Sequence, residues 1–148
     1  LRPESVGSVR LASAAPEAPP VIRYNHLAAD YDCRTLVAGL RLMRKFAAMP
    51  AMAKFADEEL LPGAASDSDE ALVDYARSTG NSVYHPVGTC RMGADPGAVV
   101  DARLRVHGVS RLRVADASVM PWVTSGNTNA PTAMIAERAA AWIASDAG

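Results

Sequence analysis

At Asp30 the apolar pattern of this chain changes period, and that change limits what it can fold into. Before it, Ser8-Val9-Arg10-Leu11-Ala12 alternates polar and apolar residues as a half-buried strand does. Val21-Ile22-Arg23-Tyr24 forms a second short run behind Pro16, Pro19 and Pro20. After it, Leu36, Val37, Leu40, Met43 and Ala47 fall on one face at helical spacing, with Arg34, Arg41, Arg44 and Lys45 off that face. Two strands joined by a proline-rich connection do not hold together alone in water, so the pair is expected to complete a sheet whose other strands come from elsewhere. The helix is expected to be capped by Asp30 or Asp32 and halted by Pro50. Its arginines read as a solvated face, without a function of their own.

Further along, Ser66-Asp67-Ser68-Asp69-Glu70 is a cluster of cap residues before Leu72, Tyr75 and Ala76, and Gly80 follows as a stop, which predicts a second, shorter helix. Ala98-Val99-Val100, Leu104-Arg105-Val106 and Leu112-Arg113-Val114-Ala115 are brief apolar runs punctuated by Gly97, Gly108 and Pro121, and read as short strands. Ile135, Ala139, Trp142 and Ile143 recur on one face of a last helix that runs to Ser145, with Pro131 in its first turn and Thr128 or Asn129 as its cap.

Composition narrows the function. The chain has 148 residues, a formal charge of -1 and 49% hydrophobic residues, enough for a core. Aromatic residues are only 5% and charges of both signs are interspersed, so no basic stripe or stacking platform argues for nucleic acid. No apolar run approaches the ~20 residues that span a bilayer, and the amino terminus lacks a signal-peptide pattern, so a soluble, cytoplasmic protein is expected. Cys33 and Cys90 have no metal-ligand spacing, and His26, His85 and His107 lie far apart, so neither a metal site nor a disulfide framework is expected. There is no Gly-x-Gly-x-x-Gly after a strand and no initiator methionine, which suits a piece of a larger protein.

One stretch carries candidate chemistry: Tyr84-His85-Pro86-Val87-Gly88-Thr89-Cys90-Arg91-Met92-Gly93. Pro86 fixes φ, and Gly88 and Gly93 permit conformations closed to other residues, so the imidazole is held as a general acid/base is held. It is expected at a junction between the second helix and a strand. Downstream, Asp116-Ala117-Ser118 follows a strand where ligand-facing loops sit, although Asp116 serves equally as a turn cap. The last helix starts behind a polar loop containing Asn127, and its unpaired N–H groups and partial positive charge suit an anion. Taken alone, Asn127 reads as one more cap or turn residue.

These stretches occur together in one order. The histidine stretch, then Val114-Ala115-Asp116-Ala117-Ser118-Val119-Met120-Pro121, then Gly126-Asn127-Thr128-Asn129-Ala130-Pro131-Thr132, then Ile135-Ala136-Glu137-Arg138-Ala139-Ala140, resembles the carboxy-terminal part of the glucose-methanol-choline oxidoreductases. Arg2-Pro3-Glu4-Ser5-x-Gly7-x-Val9-x-Leu11 resembles the start of that part. The resemblance implies an α+β fragment, with residues 1–80 in the substrate-binding domain and residues 81–148 supplying the active site and completing an FAD-binding Rossmann-like domain. The rest of the FAD site would be carried by an amino-terminal portion of the same protein.

It also implies an FAD-dependent oxidation of a primary alcohol, choline-like, aryl or furanic, with oxygen or another acceptor taking the electrons. A hydroxynitrile lyase of the same fold and a non-catalytic binding domain are the alternatives. By motif, the catalytic pair falls on His85 and Asn127. The resemblance further places Thr128 and Asn129 against the isoalloxazine ring, Asp116 and Ala117 near the ribityl-pyrophosphate, and Val83 and Tyr84 at the substrate cavity, with Tyr84 also near the flavin. His26 and His107 match no motif and are expected to be structural, and Cys90 and Met92 to pack the turn.

Overall fold

The computed structural model describes residues 2–146. The chain divides into two compact units, one formed by Pro3–Asn81 and the other by the residues from Ser82 onward together with Arg2.

In the first unit, β1 (Ser8–Arg10) pairs antiparallel with β2 (Val21–Arg23), Val9 standing opposite Ile22. Both strands are shorter than the alternating runs that announced them, and Val9, Val21 and Ile22 are exposed. Helix α1 spans Asp30–Ala47, but neither expected aspartate caps it. Its N-cap is Ala29, which has no side chain to offer; Asp30 is already helical and pairs with Arg34 at 3.0 Å. Asp32 is buried and turns its carboxylate to the amides of Glu4 and Ser5, at 2.9 and 2.8 Å. The Ser5 hydroxyl in turn accepts the amide of Ala29 at 3.0 Å, so the helix start is tied to the amino-terminal segment.

Of the expected apolar face of α1, Val37 is buried and Leu36 and Leu40 are half-buried, whereas Met43 is exposed. After the break, Pro50 opens a short helix α2 (Pro50–Ala53) at a position where its missing N–H costs nothing. Helix α3 (Asp69–Thr79) packs on α1 and buries Leu72 completely. Ser68 caps it, its hydroxyl accepting the amide of Ala71 at 3.1 Å, and it ends at Gly80 as its sequence predicts. Arg44 departs from the solvated reading. Its guanidinium grips both carboxylate oxygens of Glu59 at 2.9–3.1 Å and reaches Asp67 and the carbonyls of Gly63 and Ser66, so it organises the loop between α2 and α3.

The second unit is built around Val100, Leu104, Val119, Met120, Ile135 and Ala139, with Val87, Met92, Val114 and Trp142 packed against them. The three apolar runs that read as strands form only single bridges, Met92 with Val100, Val100 with Val106, and Arg105 with Arg113. Left-handed backbone at Leu104 (φ 64°), Gly108 (75°) and Arg111 (61°) turns the chain before a ladder can lengthen. Asp101 braces the turn around Leu104 by accepting the amides of Arg103 and Arg105 at 2.8 and 2.9 Å. Burial pushes the Asp101 carboxyl up, but those backbone bonds outweigh it and hold the group below the usual carboxylate range.

Helix α4 (Asn129–Asp146) covers this core with Ile135 and Ala139, and Trp142 is half-buried. Ile143, expected on the same face, is exposed. At the carboxy-terminal end of α4, Asp146 receives Arg103, Arg105 and Arg113, which fastens the bridged loops to the helix. Among the described residues no helix is long and apolar enough to cross a membrane, and no group of three or more His, Cys, Asp and Glu side chains could hold a metal ion.

Candidate active site

Every candidate site residue lies in the second unit. His85 is half-buried in an irregular segment, and among the described residues no strand follows it, so the expected junction between helix and strand does not form. Its aim comes from backbone restriction instead. Tyr84 adopts φ 60°, a left-handed conformation uncommon for a bulky residue, and donates its amide to the Ser82 hydroxyl at 3.0 Å. Pro86 fixes the residue after the histidine, and Gly88 (φ 90°) reverses the chain, with the amide of Arg91 closing on its carbonyl at 3.2 Å.

The turn is then clipped to two neighbours. Cys90 and Met92 donate their amides to the carbonyls of Ser118 and Val119 at 3.0 and 2.9 Å, and Gly93 donates to Val100 at 3.0 Å. Arg91 and Asp95 close the far side as a forked ion pair at 2.6 and 2.8 Å. The Arg91 hydrogen bonds, with a further one from the Gly97 amide, hold the Asp95 carboxyl well below the usual range. His107 contributes structurally, with Nε2 3.0 Å from the Gly93 carbonyl, and His26 stacks on Tyr24.

The segment bearing Asp116 is positioned by the same clips. Asp116 takes its turn-cap role, its carboxylate accepting the Ser118 amide at 2.8 Å at the head of a single 3-10 turn (Ala117–Val119). Asp116 is exposed and Ala117 half-buried. Helix α4 begins at Asn129, so Thr128 stands just before its first residue, but the Thr128 hydroxyl is turned to His85. Thr128 is buried, and its Oγ1 lies 3.1 Å from Nδ1 of His85. Its carbonyl accepts both the amide and the hydroxyl of Thr132, at 3.0 and 2.6 Å. Asn127, next in the chain, is exposed, and so is Asn129.

The structure therefore brings His85 to the start of α4 through Thr128, a contact across 43 positions that no local pattern announces. Among the described residues Nε2 of His85 has no hydrogen-bond partner, so one ring nitrogen is engaged by Thr128 and the other is open. The first turn of α4 contains no acidic residue, and Pro131 has no N–H, so among the described residues the amides of Asn129 and Ala130 are donors without a partner at the positive end of that helix. Tyr84 and Val83 are 80% and 75% exposed, an uncovered apolar border beside the histidine.

A family model described as GMC oxidoreductase matches residues 3–136. The chain is 49% identical over 140 residues to an alcohol dehydrogenase [acceptor] of Pseudomonas putida, covering 95% of this chain and 25% of that protein. It is 48% identical over 142 residues to the mitochondrial choline dehydrogenase of Mus musculus, covering 95% of this chain and 24% of that protein. Among solved structures it is similar to a fungal aryl-alcohol oxidase, with a TM-score of 0.86 and 40% identity over 95% of this chain and 23% of that one. The chain thus spans about a quarter of the length of the curated relatives it matches.

Proposed function

The chain belongs to the GMC oxidoreductase family, and on that premise we propose that it is the carboxy-terminal part of an FAD-dependent enzyme that oxidises a primary alcohol, with His85 as the base. The observation that carries the reading is the tethered imidazole, held at Nδ1 by Thr128 with Nε2 free, beside the positive end of α4. The names of the relatives, an alcohol dehydrogenase, a choline dehydrogenase and an aryl-alcohol oxidase, support a primary alcohol of choline-like, aryl or furanic type.

The residues present fit the cofactor. An electron-rich ring edge suits the start of α4, where the amides of Asn129 and Ala130 are free and no carboxylate repels it. Thr128 and Asn129 would lie against the isoalloxazine ring, Tyr84 would border it, and Asp116 and Ala117 would approach the ribityl-pyrophosphate. When bound, FAD supplies the acceptor for the substrate's hydride. The helix end contributes about 0.3–1 kcal/mol towards holding negative charge there.

The protein's part is proton transfer and orientation. His85 takes the hydroxyl proton of the alcohol at Nε2, and the alkoxide character that develops weakens the neighbouring C–H bond. A positioned base of this kind contributes roughly 10²–10⁴-fold. Asn127 hydrogen-bonds the same oxygen without competing for its proton, which holds the carbon in line. Val83 and Tyr84 line the substrate side. In this reading residues 1–80 belong to a substrate-binding domain and residues 81–148 complete the FAD-binding one, with the amino-terminal portion of the protein as the obligatory partner. Oxygen or another acceptor would take the electrons, and the setting is cytoplasmic, with Cys33 and Cys90 as free thiols.

The test is anaerobic mixing of the full-length flavoprotein with a panel of primary alcohols, followed by admission of air. Bleaching of the flavin band by at least one alcohol class is expected. A flavin that stays oxidised throughout the panel would overturn the reading.

A further inference from the structure

We propose that Thr128 is a positioning residue for His85, its hydroxyl accepting the Nδ1–H of the imidazole and so selecting the tautomer whose Nε2 carries the lone pair a base needs. The inference deepens the reading of His85 as the base and rests on it.

Neutral imidazole has two tautomers, and the partner of one nitrogen decides the state of the other. If Thr128 donated to Nδ1, the ring proton would sit on Nε2, and the nitrogen facing outward could not accept another. If Thr128 accepts from Nδ1–H, Nε2 is free to take the proton. The same hydrogen bond then survives protonation, because both nitrogens of the imidazolium are donors. The contact thus serves the ring before and after proton transfer without rearrangement.

The geometry makes Thr128 the fixed partner of Nδ1. Its side chain is buried, so water competes little for the contact, and the Oγ1 to Nδ1 separation is 3.1 Å. Its main chain is clamped from the other side by Thr132, whose amide and hydroxyl both donate to the Thr128 carbonyl at 3.0 and 2.6 Å. The first turn of α4 therefore sets the ring plane of a histidine 43 positions away. The nearby glycines and Pro86 restrict the histidine's backbone, but among the described residues only Thr128 restricts its ring by a hydrogen bond.

The experiment uses the full-length flavoprotein labelled with nitrogen-15 histidine, with His85→Asn as the control that assigns the His85 signals. The parent is expected to show His85 protonated at Nδ1 when neutral. Thr128→Val removes the hydroxyl while keeping the shape, and is expected to populate the other tautomer and to lower the limiting rate of flavin reduction by roughly 10–100-fold, the scale seen when the partner behind a metal-bound histidine is lost. The alcohol concentration giving half that rate should hardly change, and Thr128→Ser should restore most of the rate. A parent ring protonated at Nε2 would overturn the inference, and so would a valine variant as fast as the parent. The tautomer of the parent decides the matter even if the valine variant fails to fold. If His85→Asn itself reduces flavin at the parental rate, the base reading fails instead, which separates the two outcomes.

Discussion

The amide of Cys90 donates to the carbonyl of Ser118 at 3.0 Å, which clips the turn following His85 to the segment that carries Asp116. The turn reaches that clip only because Gly88 adopts φ 90°. A β-carbon at Gly88 would stand 3.4 Å from the Met120 carbonyl oxygen, so space is adequate and the cost lies in the backbone. Placing a side chain in left-handed geometry costs about 1–2 kcal/mol. Gly88→Ala is therefore expected to fold and keep its flavin while reducing it more slowly, because the strain is relieved by shifting the histidine turn. Stopped-flow reduction of the variant checks this, and a parental rate together with parental stability would contradict it.

Asp32 supplies a stability prediction with a definite pH sign. Burial pushes its carboxyl up, but the Ser5 side chain and the amides of Glu4 and Ser5 more than offset that, leaving it below the ordinary value. A carboxyl lowered in the folded state stabilises fully above its unfolded value of about 3.9, and this contribution fades as pH falls through the lower folded value. Asp32→Ala strands two amides at the start of the chain and should cost on the order of 1.5–3 kcal/mol. Denaturant unfolding at pH 7 and at pH 3 checks both parts: the loss should be clear at pH 7 and smaller at pH 3.

Arg44 gives a prediction about the loop between α2 and α3. Its forked contact with Glu59 and its reach to the Gly63 and Ser66 carbonyls use the planar guanidinium, which a lysine ammonium cannot copy. Arg44→Lys keeps the charge and should still release the loop. Limited proteolysis is expected to cut the variant between residues 54 and 68 faster than the parent, with fragments identified by mass.

What could be read in advance divides along physical lines. The three long helices were legible because their periodicity is local, and Ser68, one of the expected cap residues, caps α3, whereas Pro50 lies beyond the end of α1 and opens a short helix that no periodicity announced. Asp32 could not be read as anything but a cap, since its partners, Glu4 and Ser5, lie 28 and 27 positions away. The apolar runs around Val100, Leu104 and Val114 have strand composition, yet left-handed residues such as Leu104 and Arg111, which carry no glycine signature, stop the ladders. At the site, His85, Asn127 and the start of α4 were recognisable as motifs. The bond from Thr128 to His85 was not, because a threonine before a helix looks like a cap, and only the fold shows that its hydroxyl points elsewhere.

The division of labour between His85 and Asn127 gives the last prediction. On the proposed mechanism the histidine moves a proton and the asparagine only holds an oxygen, so their removal should differ in size and in kind. His85→Ala should slow flavin reduction by about 10²–10⁴-fold while FAD stays bound, since the ring's partner is Thr128 and its loss leaves the backbone of α4 in place. Asn127 is exposed, so Asn127→Ala opens no cavity, and it should slow reduction by a smaller factor. Because the asparagine acts on geometry, its removal should also weaken discrimination between alcohols that fit the site well and poorly. Anaerobic single-turnover reduction with two alcohols of different size measures both effects on each variant. An asparagine variant as slow as the histidine variant would give Asn127 a share in proton transfer, and a parental rate in either variant would remove that residue from the mechanism.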